Sequence, residues 1–275
     1  MGFNEQQNVM ARSTYISENI TPYQRDLILL LDENEMDIFS LEDIKKLLVC
    51  SSEDVNELIE NLVHKNILSR IERGKYCRTN FRDEKVIGCF LVPDGVIAYW
   101  SALNMHGLTE QFSNTIYLQT ARSKKSKTVF GVNYQFVKIK ETKRAGVSTA
   151  GFGNHKYSIT NKEKTLIDCF DLPQYSGGYS ELIRAFGQSE LNQDKMIEYC
   201  QAIDNISVVK RLAFLAELLQ KPRMKRFLSY AEKNVNPRYV LIDPLGAEKG
   251  AFNSKWKLRL NISAEELVDI CHKQY

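Results

Sequence analysis

The chain has 275 residues, 43% of them hydrophobic and 26% charged, which is enough for one large or two ordinary domains and too apolar for a mainly disordered chain. Its net charge of +3 singles out no partner, so only the distribution of charge is informative. No run approaches the roughly eighteen uninterrupted apolar residues of a membrane span, and the polar start Met1-Gly2-Phe3-Asn4-Glu5 is unlike a signal peptide, so a cytoplasmic protein without membrane contact is expected.

Three short helical patterns come first. Thr21-Pro22-Tyr23-Gln24 combines an N-cap threonine, a proline at the first helical position and a glutamine placed to bond back to the cap, so a helix is expected from there to about Leu31. Ser40 opens a second, with Leu41, Ile44, Leu47 and Leu48 on one stripe. Ser51 or Ser52 caps a third, whose apolar residues are Val55, Leu58, Ile59, Leu62 and Val63. Each stripe needs the others to cover it. Segment 67–72 then alternates apolar with polar, Arg73-Gly74 supplies a turn, and Lys75-Tyr76-Cys77-Arg78 returns as a second strand. Three helices followed by a hairpin is the serial order of a winged helix-turn-helix, which makes nucleic-acid binding the first functional expectation.

Charge redirects that expectation. Residues 32–66 hold ten acidic side chains against Lys45, Lys46 and Lys65, whereas 67–85 hold six basic against three acidic. A third helix whose first turn reads Ser52-Glu53-Asp54 repels phosphates, so phosphate contacts are expected mainly from the hairpin, through Arg70, Arg73, Lys75 and Arg78. Ser52, Asn56 and Lys65 complete the candidate DNA-binding set; the Asn56 amide can both donate and accept at an adenine edge.

Beyond the hairpin, 85–92 and 96–99 are apolar around Pro93-Asp94-Gly95, and 101–108 reads as a short helix closed by Gly107. Strands are expected at 115–120 and 134–139, with Gly131-Val132-Asn133 as a turn before the second. Thr160-Asn161-Lys162-Glu163 has the pattern of a capping box, and Leu166, Ile167 and Phe170 form the stripe of a helix that stops before Pro173. Gly177-Gly178 breaks the chain. Residues 179–233 are helical in pattern, the last helix opening at Pro222, and β-type sequence returns at 239–242 and 255–260.

The most basic region is 121–144, where Arg122, Lys124, Lys125, Lys127, Lys138, Lys140, Lys143 and Arg144 meet only Glu141. A charged loop with edge lysines that discourage aggregation accounts for it. A second surface for nucleic acid or an acidic partner accounts for it equally, with Arg122, Lys124, Lys125, Lys127, Lys143 and Arg144 as its residues. Lys221, Arg223, Lys225 and Arg226 cluster at a helix start, where the dipole does not favour cations. His106 ends a helix and is expected to bond its last carbonyls; His64, His155 and His272 have no partner at metal spacing. The six cysteines stand singly, so neither disulfides, a metal nor another cofactor is expected. Trp256 and the tyrosines are expected to pack.

Several of these segments, in this order, carry a resemblance. Arg73-Gly74-Lys75-Tyr76, Ser101-Ala102-Leu103 with His106-Gly107-Leu108, Glu163-Lys164-Thr165-Leu166-Ile167-Asp168, Gly177-Gly178, and Lys255-Trp256 with Leu260-Asn261 span some 190 residues. Together the chain resembles the AbiEi antitoxins of type IV toxin-antitoxin systems, which act in abortive infection, a phage defence. The resemblance implies a transcriptional regulator whose N-terminal winged helix represses its own operon by binding inverted repeats in operator DNA. It also implies a C-terminal domain that counteracts a nucleotidyltransferase-like toxin, and no enzymatic activity.

The expected architecture is therefore α+β: a winged helix-turn-helix over 15–82, then a mixed α/β C-terminal domain over 83–275. The latter divides into strands and helices at 83–178, a helical block at 179–233 and returning strands at 236–262. Two other readings stay open. One is a metal-dependent nuclease of the PD-(D/E)xK kind, with Pro93-Asp94 and Glu141-Thr142-Lys143 on adjacent strands holding a divalent ion. The other is a winged-helix module that binds a protein through its acidic face and no DNA.

Overall fold

A computed structural model describes residues 20–48 and 52–272, without the side chains of residues 52 and 53. The chain is α+β and divides into two units, one of Met1–Ile87 with Phe152–His155, the other of Gly88–Gly151 with Lys156–Tyr275.

In the first unit, helix α1 (Pro22–Glu33) begins at the expected capping box. Gln24 N donates to Thr21 Oγ1 (3.3 Å) and Thr21 N to Gln24 Oε1 (3.1 Å). The helix runs past Leu31 to Glu33, where Asn34 closes it. Strand β1 (Ile38–Ser40), which no alternation announced, leads directly into α2 (Leu41–Leu47), capped reciprocally by Ser40 and Asp43. Helix α3 (Ser52–His64) follows; Ser51 and the Ser52 side chain, the two expected caps, lie outside the described residues. Strands β2 (Leu68–Glu72) and β3 (Lys75–Arg78) form the hairpin, turning at Gly74 with φ +74°, and the sheet order is β1-β3-β2. Leu27, Leu31, Phe39, Ile44, Val55, Ile59, Leu62 and Leu68 make one core, so the three stripes do cover each other. Leu47 is the exception: α2 ends on it, and the side chain stays exposed.

Helix α4 (Glu84–Leu91), the apolar stretch before Pro93, carries the chain from the first unit into the second at Gly88, and β4 (Val96–Ile97) and α5 (Tyr99–Met105) follow. Helix α5 ends in a Schellman motif, in which Leu108 N donates to Leu103 O and Gly107 N to Asn104 O, both at 2.9 Å. Strands β5 (Thr115–Thr120), β6 (Lys127–Val129), β7 (Val132–Lys138), β8 (Val147–Ala150) and β9 (Tyr157–Thr160) join β4 in a mixed six-stranded sheet of order β6-β7-β5-β4-β9-β8. The turn expected at 131–133 lies one residue earlier. Val129 pairs with Val132, leaving Phe130 and Gly131 at positive φ as a two-residue hairpin loop.

Helix α6 (Lys162–Asp171) is the centre of this unit, with residues 163–170 all buried. Its N-cap is Asn161, not Thr160, because Thr160 closes β9; Lys164 N donates to Asn161 Oδ1 at 3.0 Å. Around it lie α7 (Tyr179–Gln188), α8 (Gln193–Ile203) and α9 (Ile206–Leu218). Helix α10 (Lys225–Asn234) starts three residues after Pro222, since Arg223 adopts φ +56° and interrupts the chain. A small sheet of β10 (Val240–Leu241), β11 (Ala251–Asn253) and β12 (Leu258–Leu260) and a helix with no expected counterpart, α11 (Ala264–His272), complete it. Gly250, at φ +96°, lets β11 approach β12: a Cβ there would sit 1.8 Å from Leu260 O. No helix among the described residues is long and apolar enough to cross a membrane.

Lys164 and Asp168, one turn apart on α6, form an ion pair closed off from solvent. Burial raises the Asp168 carboxyl to about 6 in spite of Lys164 beside it. The folded state thus keeps a proton that the unfolded chain gives up near pH ~4, so this group's stability is complete below that value and is lost as pH rises through about 6. Lys164→Met is expected to cost about 3–5 kcal/mol at neutral pH, where it strands a buried carboxylate. The cost should shrink towards pH ~5 as Asp168 protonates, which urea unfolding at both values checks.

Candidate nucleic-acid interface

The hairpin places its four basic residues in different situations. Arg70, on β2, is paired with Glu60 of α3, and Tyr76 donates to the other oxygen of that carboxylate at 2.8 Å. Burial, then the Glu60 hydrogen bond, pushes the Tyr76 phenol up to about 12. Lys75 lies 3.0 Å from Glu72 across the turn. Arg78 turns back to α1, pairing with Asp32 and donating to Ile28 O at 3.2 Å, with only 17% of its side chain exposed. Arg73 differs: it sits at the exposed tip beside Gly74, and among the described residues no acidic side chain pairs with it. Two of the six cations of 67–85, Arg70 and Arg78, therefore neutralise acids of α3 and α1, and Arg73 is the hairpin cation left without an acidic partner among the described residues.

Helix α3 presents Asp54, Asn56 and Glu57 as exposed neighbours, so the one candidate base reader is flanked by carboxylates. Lys65 does not point outward from that helix: its Nζ donates to Gln24 Oε1 at 2.7 Å and supports the α1 capping box.

The second basic region is also partly absorbed. Asp94 is its hub, accepting from Thr120 Oγ1 and from the Ala121 amide, both at 2.7 Å, with Arg122 at 3.7 Å and Arg144 at 3.9 Å. Burial acts to raise this carboxyl, but the two hydrogen bonds and the Arg144 charge outweigh it and hold Asp94 below its ordinary value. Lys124 donates to Leu91 O at 2.6 Å and Lys143 pairs with Asp171 at 2.8 Å, so both serve packing. Arg122, Lys125, Lys138 and Lys140 are exposed, while Lys127 is half-buried on edge strand β6. Of the cluster near α10, Lys221 caps α7 through Gly187 O (2.9 Å) and Ser189 O, and Arg226 pairs with Asp194.

The residues of the nuclease pattern do meet, but through a cation. Arg144 lies 3.2 Å from Glu141 and 3.9 Å from Asp94, while Glu141 and Lys143 belong to a short 3-10 turn (Glu141–Lys143), not a strand. Among the described residues no group of three or more His, Cys, Asp or Glu side chains is placed to hold a metal ion. His106 bonds Thr160 O at 2.7 Å, tying α5 to β9, where a bond to its own helix was expected; His155 faces Asp37 at 2.7 Å within the first unit. Trp256 packs as expected, fully buried with its Nε1 on Glu217 at 2.8 Å. Tyr239 and Phe252 do not pack inward. The sequence held one signal for this: Arg259 follows the buried Leu258 along β12, so alternation puts that cation on the opposite face.

No family model matches the sequence, and no curated protein matches it. Its fold is similar to the crystal structure of the RV2827C protein from Mycobacterium tuberculosis. That likeness has a TM-score of 0.63 at 13% identity and covers 94% of this chain and 97% of that one.

Because Arg78 is committed to α1, Arg78→Met is expected to lower the stability of the first unit by about 1 kcal/mol, discounted for the exposure of Asp32. The salt dependence of any nucleic-acid binding should not change. Urea unfolding beside a salt titration of binding separates the two effects, and a loss confined to binding would reverse the assignment.

Proposed function

We propose that the chain is a DNA-binding transcriptional repressor and antitoxin of a type IV toxin-antitoxin system, working in the cytoplasm in phage defence and without enzymatic activity. In this reading the first unit is a winged helix-turn-helix whose wing is the β2-β3 hairpin. The observation that carries it is the order helix, strand, helix, helix, hairpin, closed by the β1-β3-β2 sheet over one core, with Arg73 projecting from the tip. The landmarks from Arg73-Gly74 to Leu260-Asn261 support the antitoxin assignment, whose functional partner is a nucleotidyltransferase-like toxin. The carboxylates of α3 favour a wing that holds phosphate over a helix that reads bases deep in a groove.

A second reading has its own observation. Exposed Asp54 and Glu57 on α3 suit a basic protein surface, which makes the first unit a protein-binding module. The nuclease alternative has less support, since Arg144 neutralises both of its carboxylates.

Duplex DNA from upstream of the chain's own gene, titrated over a range of salt concentrations, separates these readings. Binding should weaken with salt, and Arg73→Ala with Lys75→Ala should weaken it further and reduce the logarithmic salt slope by about 1 to 2, one for each phosphate no longer neutralised. Unchanged affinity and slope in that variant would overturn the wing assignment; absence of salt-dependent binding would favour the protein-binding module.

A further inference from the structure

The small C-terminal sheet presents aromatic rings and cations to solvent, and the repressor reading makes no use of it. Strands lie in the order β10-β12-β11, with Val240 beside Leu258 and Phe252 opposite Arg259. Leu258 faces the core with Trp256, so strand alternation turns Arg259 to the other face, and Lys257, in the turn just before β12 at φ +54°, meets the Tyr239 ring on that face. There Tyr239 is 40% and Phe252 63% exposed, their ring centres 5.0 Å apart and their planes at 86°. Lys257 Nζ lies 5.6 Å from the centre of the Tyr239 ring, and the Arg259 guanidinium 5.5 Å from that of Phe252. Residues 236–261 hold five basic side chains against Asp243 and Glu248.

Cross-strand pairing of rings and cations stabilises many small sheets, and two such pairs could serve that purpose alone. The exposure argues for more. Large rings left this open contribute little burial, while the sheet beneath them is fixed from behind by polar side chains of the helices. Tyr179 of α7 donates to Ile242 O, Arg211 of α9 to Leu241 O at 3.0 Å, and Lys210 to Asn236 Oδ1 at 2.6 Å and to Arg238 O. Glu217 of the same helix accepts from Trp256 Nε1. The surface is thus pre-organised, which lowers the ordering cost of binding.

Two perpendicular rings form a corner: a flat π-system can stack on one while its edge meets the other, and the adjacent cations can meet an anion a few ångströms away. Nucleobases joined by phosphates have that chemistry, and only unpaired strands expose base faces. We propose that the solvent face of the β10-β12-β11 sheet binds single-stranded nucleic acid, with Tyr239 and Phe252 stacking on bases and Lys257 and Arg259 contacting phosphates. RNA and single-stranded DNA share this chemistry. The site is independent of operator binding, because it needs neither the wing nor a duplex.

The test is fluorescence anisotropy of the full chain with labelled oligouridylate and oligothymidylate of about twelve nucleotides, inside the ~4–16 nucleotide span of small single-strand sites. A duplex of equal length is the comparison. Salt-dependent binding of at least one single strand is expected, and the stronger of the two identifies the natural class. Tyr239→Ala with Phe252→Ala should weaken it by about tenfold or more, whereas Tyr239→Phe, which keeps the ring, should change it by less than about twofold. Should the double alanine variant lower the melting midpoint, Lys257→Glu takes its place, and a loss of binding is again expected. Arg73→Ala should leave single-strand binding intact, so failure here and failure of the wing assignment are distinguishable. Absence of binding to either strand, or undiminished binding in the double alanine variant with its melting midpoint unchanged, overturns the proposal.

Discussion

Helix α6 is enclosed by the second unit, yet Glu163, Lys164, Thr165 and Asp168 on it are polar. Each must find a partner as it leaves water, or the unit loses a kilocalorie or more per stranded group, on the order of 1–3 kcal/mol. The partners come from different segments. Glu163 accepts from Asn192 N at 3.0 Å and so fixes the start of α8. Thr165 donates to Asn161 O at 2.8 Å and shares its hydroxyl with Thr160 at 2.7 Å, locking the turn out of β9. Lys164 pairs with Asp168 Oδ1 and leaves Oδ2 of that carboxylate buried without a hydrogen bond, and Gly146 leaves space beside the pair, since a Cβ there would lie 2.8 Å from both Lys164 Cβ and the Tyr199 ring. Apolar side chains would fill the same volume but would accept many packings. These polar groups accept one, which is how a buried network gives specificity beyond its contribution to stability.

The same requirement governs the charges of the first unit. Its helices carry the acids and its hairpin the bases, and folding brings them into register: Arg70 to Glu60 and Arg78 to Asp32, with Lys75 and Glu72 paired inside the hairpin itself. Exposed pairs of this kind contribute little energy one by one. Their larger effect is on the surface potential. Bases that would otherwise have made the hairpin strongly positive are neutralised, so the outward cation is concentrated on Arg73 at the turn.

Along the C-terminal sheet, donors from buried helices serve a third purpose. Lys210 and Arg211 are buried residues of α9 whose donors reach backbone carbonyls, and Tyr179 does the same from α7. Short strands of two and three residues have little ladder of their own to hold them. Side-chain bonds to their carbonyls support that ladder from one side, and Tyr239 and Phe252 on the opposite face stay exposed among the described residues.

Local chemistry determined much of this molecule from its sequence. The capping box at Thr21, the helix start at Ser40, the turns at Arg73-Gly74 and Gly107 and, Leu47 apart, the stripes of the first three helices all depend on residues within four positions of one another, and they stand where the sequence placed them. Elements whose only reason is a distant partner were not legible. Strand β1 exists because β3 lies beside it, β8 and β9 complete a sheet begun some sixty residues earlier, and α11 packs on α7. The site divides the same way. Sequence identified the basic hairpin and the acidic helix, but counting charge along a chain cannot say which charges meet in space. Only tertiary structure decided that Lys65 supports a cap, that Arg78 faces inward and that Asp94 meets Arg122 and Arg144 from the two ends of the second basic run. It alone left Arg73 at the tip, and Tyr239 with Phe252, open to solvent. Exposure and pairing are properties of distance across the fold, whereas caps, turns and periodicity are properties of distance along the chain.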